Sequence, residues 1–138
     1  MSPTDRDDEA VTARPRILLV EDNDAASRGL SRILELQGFE VQVVSDGTSA
    51  LRHLETGPPP DFVLTDLSLP DFDGREVARH ASRVVPTPRI ALITGWDIED
   101  DPDSQTACGI DWVFSKPLDI KALILRLNEA RKPEDHLD

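Results

Sequence analysis

The sequence predicts an α/β fold in which strands of a parallel sheet alternate with helices. Three observations carry that reading. Short apolar runs, such as Ile17-Leu18-Leu19-Val20 and Phe62-Val63-Leu64-Thr65-Asp66, are separated by stretches of helical periodicity. In the last such stretch Ile120, Leu123, Ile124 and Leu127 recur at i, i+3, i+4 and i+7, so they share one helix face. The apolar runs also end alike. Glu21-Asp22 follows the first, Asp66 closes the Phe62 run, Thr94-Gly95 follows Ile90-Ala91-Leu92-Ile93, and Ser115-Lys116-Pro117 follows Trp112-Val113-Phe114. An open parallel sheet has its binding crevice outside the carboxyl ends of its strands. Three acids, a hydroxyl and a lysine are therefore expected at one site.

The elements follow in order. After the Ile17 strand, a helix is predicted from about Ala25 to Gln37, capped by Asn23 or Asp24 and stopped at Gly38. Leu30, Ile33, Leu34 and Gln37 lie on its inner face. Glu40 to Val44 is a second strand, and Gly47 to about Glu55 a second helix with Ala50, Leu51 and Leu54 inward. Gly57-Pro58-Pro59-Pro60 prevents helix and forces an extended approach to the strand that ends at Asp66. A third helix, capped by Asp73, is predicted from Gly74 or Arg75 to about Val84. Pro86 and Pro88 close it before Arg89 opens the fourth strand. Asp101 and Pro102 suit a helix start and leave room only for a short fourth helix before Gly109, preceded by a mobile loop. Asp119 caps the fifth.

A chain of 138 residues fits one domain, large enough to bury roughly 70% of its unfolded surface without staples. Residues 1–15 read as a disordered acidic arm carrying Asp5, Asp7, Asp8 and Glu9, 16–131 as the folded domain, and 132–138 as a flexible tail. The single Cys108 forms no internal disulfide, which suits a reducing cytosol. No apolar run is long enough to span a bilayer, and Met1 to Arg16 lacks the apolar core of a signal peptide. A cytoplasmic location without membrane contact is expected. The formal charge of −12 argues against direct nucleic-acid binding, which needs clustered Lys and Arg.

Each candidate site residue also has a plainer reading: Glu21 and Asp22 as helix caps, Asp66 and Thr94 as turn residues, Lys116 as a solvated charge. Taken together they specify more. Carboxylates from two strand ends suit a hard divalent ion such as Mg²⁺, which takes one or two carboxylates plus a phosphate oxygen. Thr94 and Lys116 are the donors that would hold a phosphate.

With these motifs the sequence resembles the receiver domain of two-component response regulators, over about Arg16 to Arg131. The matching segments are Leu18-Leu19-Val20-Glu21-Asp22-Asn23, Asp66-Leu67-Ser68-Leu69-Pro70-Asp71-Phe72-Asp73-Gly74, Thr94-Gly95 and Ser115-Lys116-Pro117. The resemblance implies a flavodoxin-like doubly wound sheet of five parallel strands, order 2-1-3-4-5, with five helices. It implies that Asp66 takes a phosphoryl group from a histidine of a sensor kinase or phosphotransfer protein. Asp22 and Asp66 would bind Mg²⁺ with the Ser68 backbone carbonyl, and Glu21 would act mainly through a metal-bound water. Thr94 and Lys116 would contact the phosphoryl oxygens, and the Lys116-Pro117 bond would be cis. Such a domain catalyses only its own phosphorylation and dephosphorylation and signals through an unknown downstream protein.

Receivers often carry Tyr or Phe three residues before the lysine, where this chain has Val113 between Trp112 and Phe114. The response is therefore expected in the loop Gly95 to Pro102, with Trp96 as reporter. The stretch after the last helix leaves no room here for an effector, so a stand-alone regulator and a piece of a longer protein both remain. An alternative function is a Mg²⁺-dependent aspartyl-phosphate phosphatase acting on external substrates. Phosphatases of the haloacid-dehalogenase type carry a second Asp two residues after the nucleophile, where this chain has Ser68.

Overall fold

The computed structural model describes residues 14–95 and 109–131. The elements are β1 (Arg16–Val20), α1 (Asp24–Leu36), β2 (Glu40–Val44), α2 (Gly47–Thr56), β3 (Phe62–Asp66), α3 (Gly74–Ala81), β4 (Arg89–Thr94), β5 (Trp112–Ser115) and α4 (Ile120–Glu129). All five strands are parallel, in the order β2-β1-β3-β4-β5. The arm up to residue 13, the tail from 132, Trp96, Cys108 and the expected helix from Pro102 lie outside the described residues. Four helices are described.

Alternation along the strands divides the core into two layers. Ile17, Leu19, Phe62, Leu64, Ala91 and Ile93 face α1 and α4, where Leu34, Leu123 and Leu127 close the layer. Leu18, Val20, Val63 and Ile90 face α2 and α3, against Ala50, Leu54, Val77, Ala78 and Ala81. β3 is buried along its whole length, so it carries Asp66 to the crevice on a rigid central strand.

Every described helix starts on an Asx side chain. Asn23 accepts from the Ala26 amide at 2.8 Å, Asp46 from Ser49 at 2.7 Å, Asp73 from Arg75 at 2.7 Å and Asp119 from Ala122 at 3.1 Å. Each such cap contributes about 1 kcal/mol.

Two helices differ from expectation. The predicted inner face of α1 included Gln37, but the helix ends at Leu36 and Gln37 is its exposed C-cap, while Ser27 is buried instead. Gly38, at φ +98°, follows in the left-handed conformation that stops the helix. α3 stops at Ala81 rather than Val84. There Arg83 and Val84 donate to the carbonyls three residues back, at 3.1 Å each, which tightens the last turn out of the α-helix.

Candidate functional site

The strand order reverses between β1 and β3, and the site lies at that switch point. β1 runs straight into Glu21, whose amide continues the ladder by donating to the Val44 carbonyl at 3.0 Å. Asp66 is the last residue of β3 and is 3% exposed, although it is a carboxylate. One carboxylate oxygen each from Glu21, Asp22 and Asp66 lies within 4.8 Å of the others. From β5, the Lys116 ammonium reaches Asp66 Oδ1 at 3.0 Å. Thr94 ends β4 beside them, only 2% exposed, in register with Ser115. Its carbonyl accepts from the Lys116 amide at 2.8 Å, which fixes the two strand tips together. The Lys116-Pro117 peptide is cis.

The electrostatics follow from the crowding. Burial, and then the neighbouring Asp66, push the Glu21 carboxyl up to about 7, against the opposing pull of the Asn23 amide that donates to it at 3.0 Å. Burial by itself would lower the Lys116 ammonium. Asp66, Glu21 and Asp22 outweigh it, and Lys116 is held above its ordinary value. Asp66 Oδ1 is buried, and among the described residues no hydrogen bond of good geometry reaches it; the Lys116 charge is its counterpart. A buried anionic oxygen left in that condition is costly unless a cation meets it. Three clustered carboxylates with all-oxygen donors fit a hard divalent ion, and this set fits one.

The loop after Asp66 is built around Gly74 and a short antiparallel bridge. Ser68 pairs with Asp73, and the Gly74 amide donates to the Leu67 carbonyl at 2.7 Å. A Cβ at residue 74 would collide with the Asp66 carbonyl oxygen, so only glycine permits this approach.

One residue of the matching segment has a role that the sequence did not reveal. Asp71, at the loop tip, accepts from the Gly47 and Thr48 amides at 2.8 Å each and from the Thr48 hydroxyl at 2.6 Å. Thr48, by its hydroxyl and then its amide, holds the Asp71 carboxyl down to about 2. Trp112, next to the Val113 that replaces the usual ring, lies at the amino end of β5, in register with Ala91 and stacked on Phe62 at 6.4 Å. It is a packing residue, three positions from the strand end that meets Thr94.

A doubly wound sheet with an acidic cluster, a buried threonine and a lysine at its switch point defines a flavodoxin-like α/β domain built to hold charge at one edge. The sequence model of the response regulator receiver domain matches residues 17–128. The chain belongs to that family: it is a receiver domain of two-component response regulators, a module of phosphorelay signalling. It is 36% identical over 118 residues to the response regulator receiver protein CpdR of Brucella abortus, covering 85% of this chain and 94% of that protein. It is likewise 36% identical over 124 residues to the regulatory protein AtoC of Escherichia coli, which covers 87% of this chain. The chain spans only 26% of AtoC, and 48% of the transcriptional regulatory protein TrcR of Mycobacterium tuberculosis. Among solved structures, a CheY-like receiver domain protein of Methanospirillum hungatei superposes with a TM-score of 0.78 at 26% identity, covering 85% of this chain and 93% of that one. The receiver domain of the sensor histidine kinase PA1611 of Pseudomonas aeruginosa superposes with a TM-score of 0.73 at 28% identity, covering 85% and 97%; that structure has a magnesium ion coordinated in its active-site cleft. No described helix is long and apolar enough to cross a membrane.

Proposed function

We propose that Asp66 is the phosphoacceptor, and that Glu21, Asp22, Asp66 and the Ser68 backbone carbonyl hold Mg²⁺, Glu21 mainly through water. The observation that carries this reading is the buried Asp66 oxygen, crowded by two further carboxylates and met by Lys116 at 3.0 Å. When bound, Mg²⁺ supplies positive charge to the phosphoryl oxygens. The rigid end of β3 holds the Asp66 carboxylate for in-line attack on phosphorus. A new P–O bond forms, the P–N bond to the kinase histidine breaks, and the imidazole leaves with the electron pair. Lys116 then moves its charge from Asp66 towards the phosphoryl oxygens, and the Thr94 hydroxyl donates to one of them. The donor is a sensor histidine kinase or phosphotransfer protein in the cytoplasm, and the output is contact with a downstream protein. Residues 16–131 form the receiver unit, flanked by the acidic arm and the tail. The domain turns over no external substrate.

Incubation with acetyl phosphate and Mg²⁺, read by intact mass, should add one phosphoryl group to the wild type and none to Asp66→Asn or to chelated protein. Labelling of Asp66→Asn at the wild-type rate would overturn the assignment.

A further inference from the structure

We propose that Asp71 is a positioning residue, a clamp that ties the tip of the phosphoacceptor loop to the start of α2 and so holds the Ser68 carbonyl in register with Asp66. Its part in metal binding rests on the reading of Asp66 and Ser68 as ligands; the clamp itself does not.

The loop from Leu67 to Asp73 is held at its base by the Ser68–Asp73 bridge and by the bond from the Gly74 amide to the Leu67 carbonyl. Those contacts leave Pro70, Asp71 and Phe72 to be fixed by something outside the loop. Both oxygens of Asp71 are used for this, Oδ1 by the Gly47 amide and Oδ2 by the Thr48 amide and hydroxyl. The partners lie 23 and 24 residues earlier in the chain, so these are tertiary ties. Phe72 seals the same junction. A Cβ at residue 47 would collide with its ring, so Gly47 lets the ring and the carboxylate reach α2 together.

The start of α2 does not need Asp71 for its own capping. Asp46 already accepts from the Ser49 amide at 2.7 Å as the N-cap. The amides of Gly47 and Thr48 are left over at that helix start, and the loop supplies their acceptor. Charge-assisted bonds of this kind are the stronger and more directional sort. Partners that orient a ligand group typically change metal affinity by 10–100-fold when removed. Asp71 sits three residues beyond Ser68, so its loss frees the loop at the point that sets the Ser68 carbonyl.

Two capping acids on one helix allow a controlled test in the full chain. Asp71→Ala should speed amide exchange at Gly74 in metal-free protein by roughly five- to tenfold. It should also weaken Mg²⁺ binding, measured by calorimetric titration with MgCl₂, by roughly tenfold. Thr48→Val leaves both backbone amides their acceptor and should move both readouts the same way by less. Asp46→Ala removes a cap from the same helix and should lower global stability while leaving both readouts at wild-type values. The clamp is refuted by Asp71→Ala with wild-type exchange at Gly74 and wild-type Mg²⁺ affinity, or by Asp46→Ala shifting both as far as Asp71→Ala does. Should Asp71→Ala fail to fold, an unmoved Thr48→Val refutes it equally. A wild type that binds no Mg²⁺ would overturn the metal assignment, and the metal-free exchange rates would still decide the clamp.

Discussion

The two edges of the sheet use acids in opposite ways. At the amino edge each acid has a structural partner. Asp61 accepts from the Arg16 amide at 2.8 Å, and Asp111 accepts from the Ile90 amide at 2.8 Å while meeting Arg89 at 3.3 Å. Glu40 lies 3.8 Å from the Arg16 guanidinium, a surface pair of little energetic weight. At the carboxyl edge, Glu21, Asp22 and Asp66 crowd within 4.8 Å around one lysine. In the first set, Asp61 and Asp111 satisfy strand amides that begin a ladder. The second set leaves negative charge unbalanced, with a buried oxygen lacking a well-formed hydrogen bond. An acid that ends a strand among other acids marks chemistry; an acid that caps the start of a neighbouring strand marks architecture.

That contrast can be broken at either edge. The larger effect is expected at the amino edge. Asp111→Ala should lower stability by about 1–2 kcal/mol, because the Ile90 amide loses its side-chain acceptor. Phosphoryl uptake from acetyl phosphate should not change. Urea unfolding and intact mass on the same sample check both halves, and a loss of uptake would join the two edges functionally.

A smaller effect is expected with pH, and it should separate Glu21 from Asp71. The folded Glu21 carboxyl lies near 7, above its ordinary 4.5, so between those values the folded state binds more protons than the unfolded one. Stability of the metal-free protein should therefore fall as pH rises through that window. The Glu21→Gln variant should lose this slope. Asp71, held near 2 below an ordinary 3.8, has the opposite sign: its contribution is present above pH 3.8 and fades as pH falls towards 2. Unfolding curves in chelator at a series of pH values report both. A wild-type slope that persists unchanged in Glu21→Gln would assign it elsewhere.

Much of this is legible in the sequence, and the reasons are local. A strand tip is read from the residue that ends an apolar run, so Glu21, Asp22, Asp66, Thr94 and Lys116 could each be assigned to an edge without knowing the register. Three helix starts were equally local, because Asn23, Asp73 and Asp119 bond amides two or three residues on, whereas the Asp46 cap emerged only from the structure. Helix ends were less so: α3 stops where successive carbonyls are shared in a tightened turn, which composition does not encode. The role of Asp71 was not legible, although the residue stands in the matched segment. In sequence it is an acid after a proline, an ordinary turn residue, and its meaning depends on amides brought to it by the packing of α2 beside α3. The place of Trp112 also depended on register, since its pairing with Ala91 sets it at the far end of β5 from Thr94.

The most direct test of the contrast is the sign of a stability change at each edge. In metal-free buffer, urea unfolding of Asp66→Asn and Asp61→Ala should move in opposite directions. Asp66→Asn relieves the crowding of its buried carboxylate by Glu21 and Asp22 and gives up only a pair with the half-exposed Lys116, which solvent screens, so its midpoint should rise. Asp61→Ala strips the Arg16 amide of its acceptor and should lower stability by about 1 kcal/mol. A fall in both midpoints would mean that Asp66, like Asp61, is held in place for the fold, and would contradict the account.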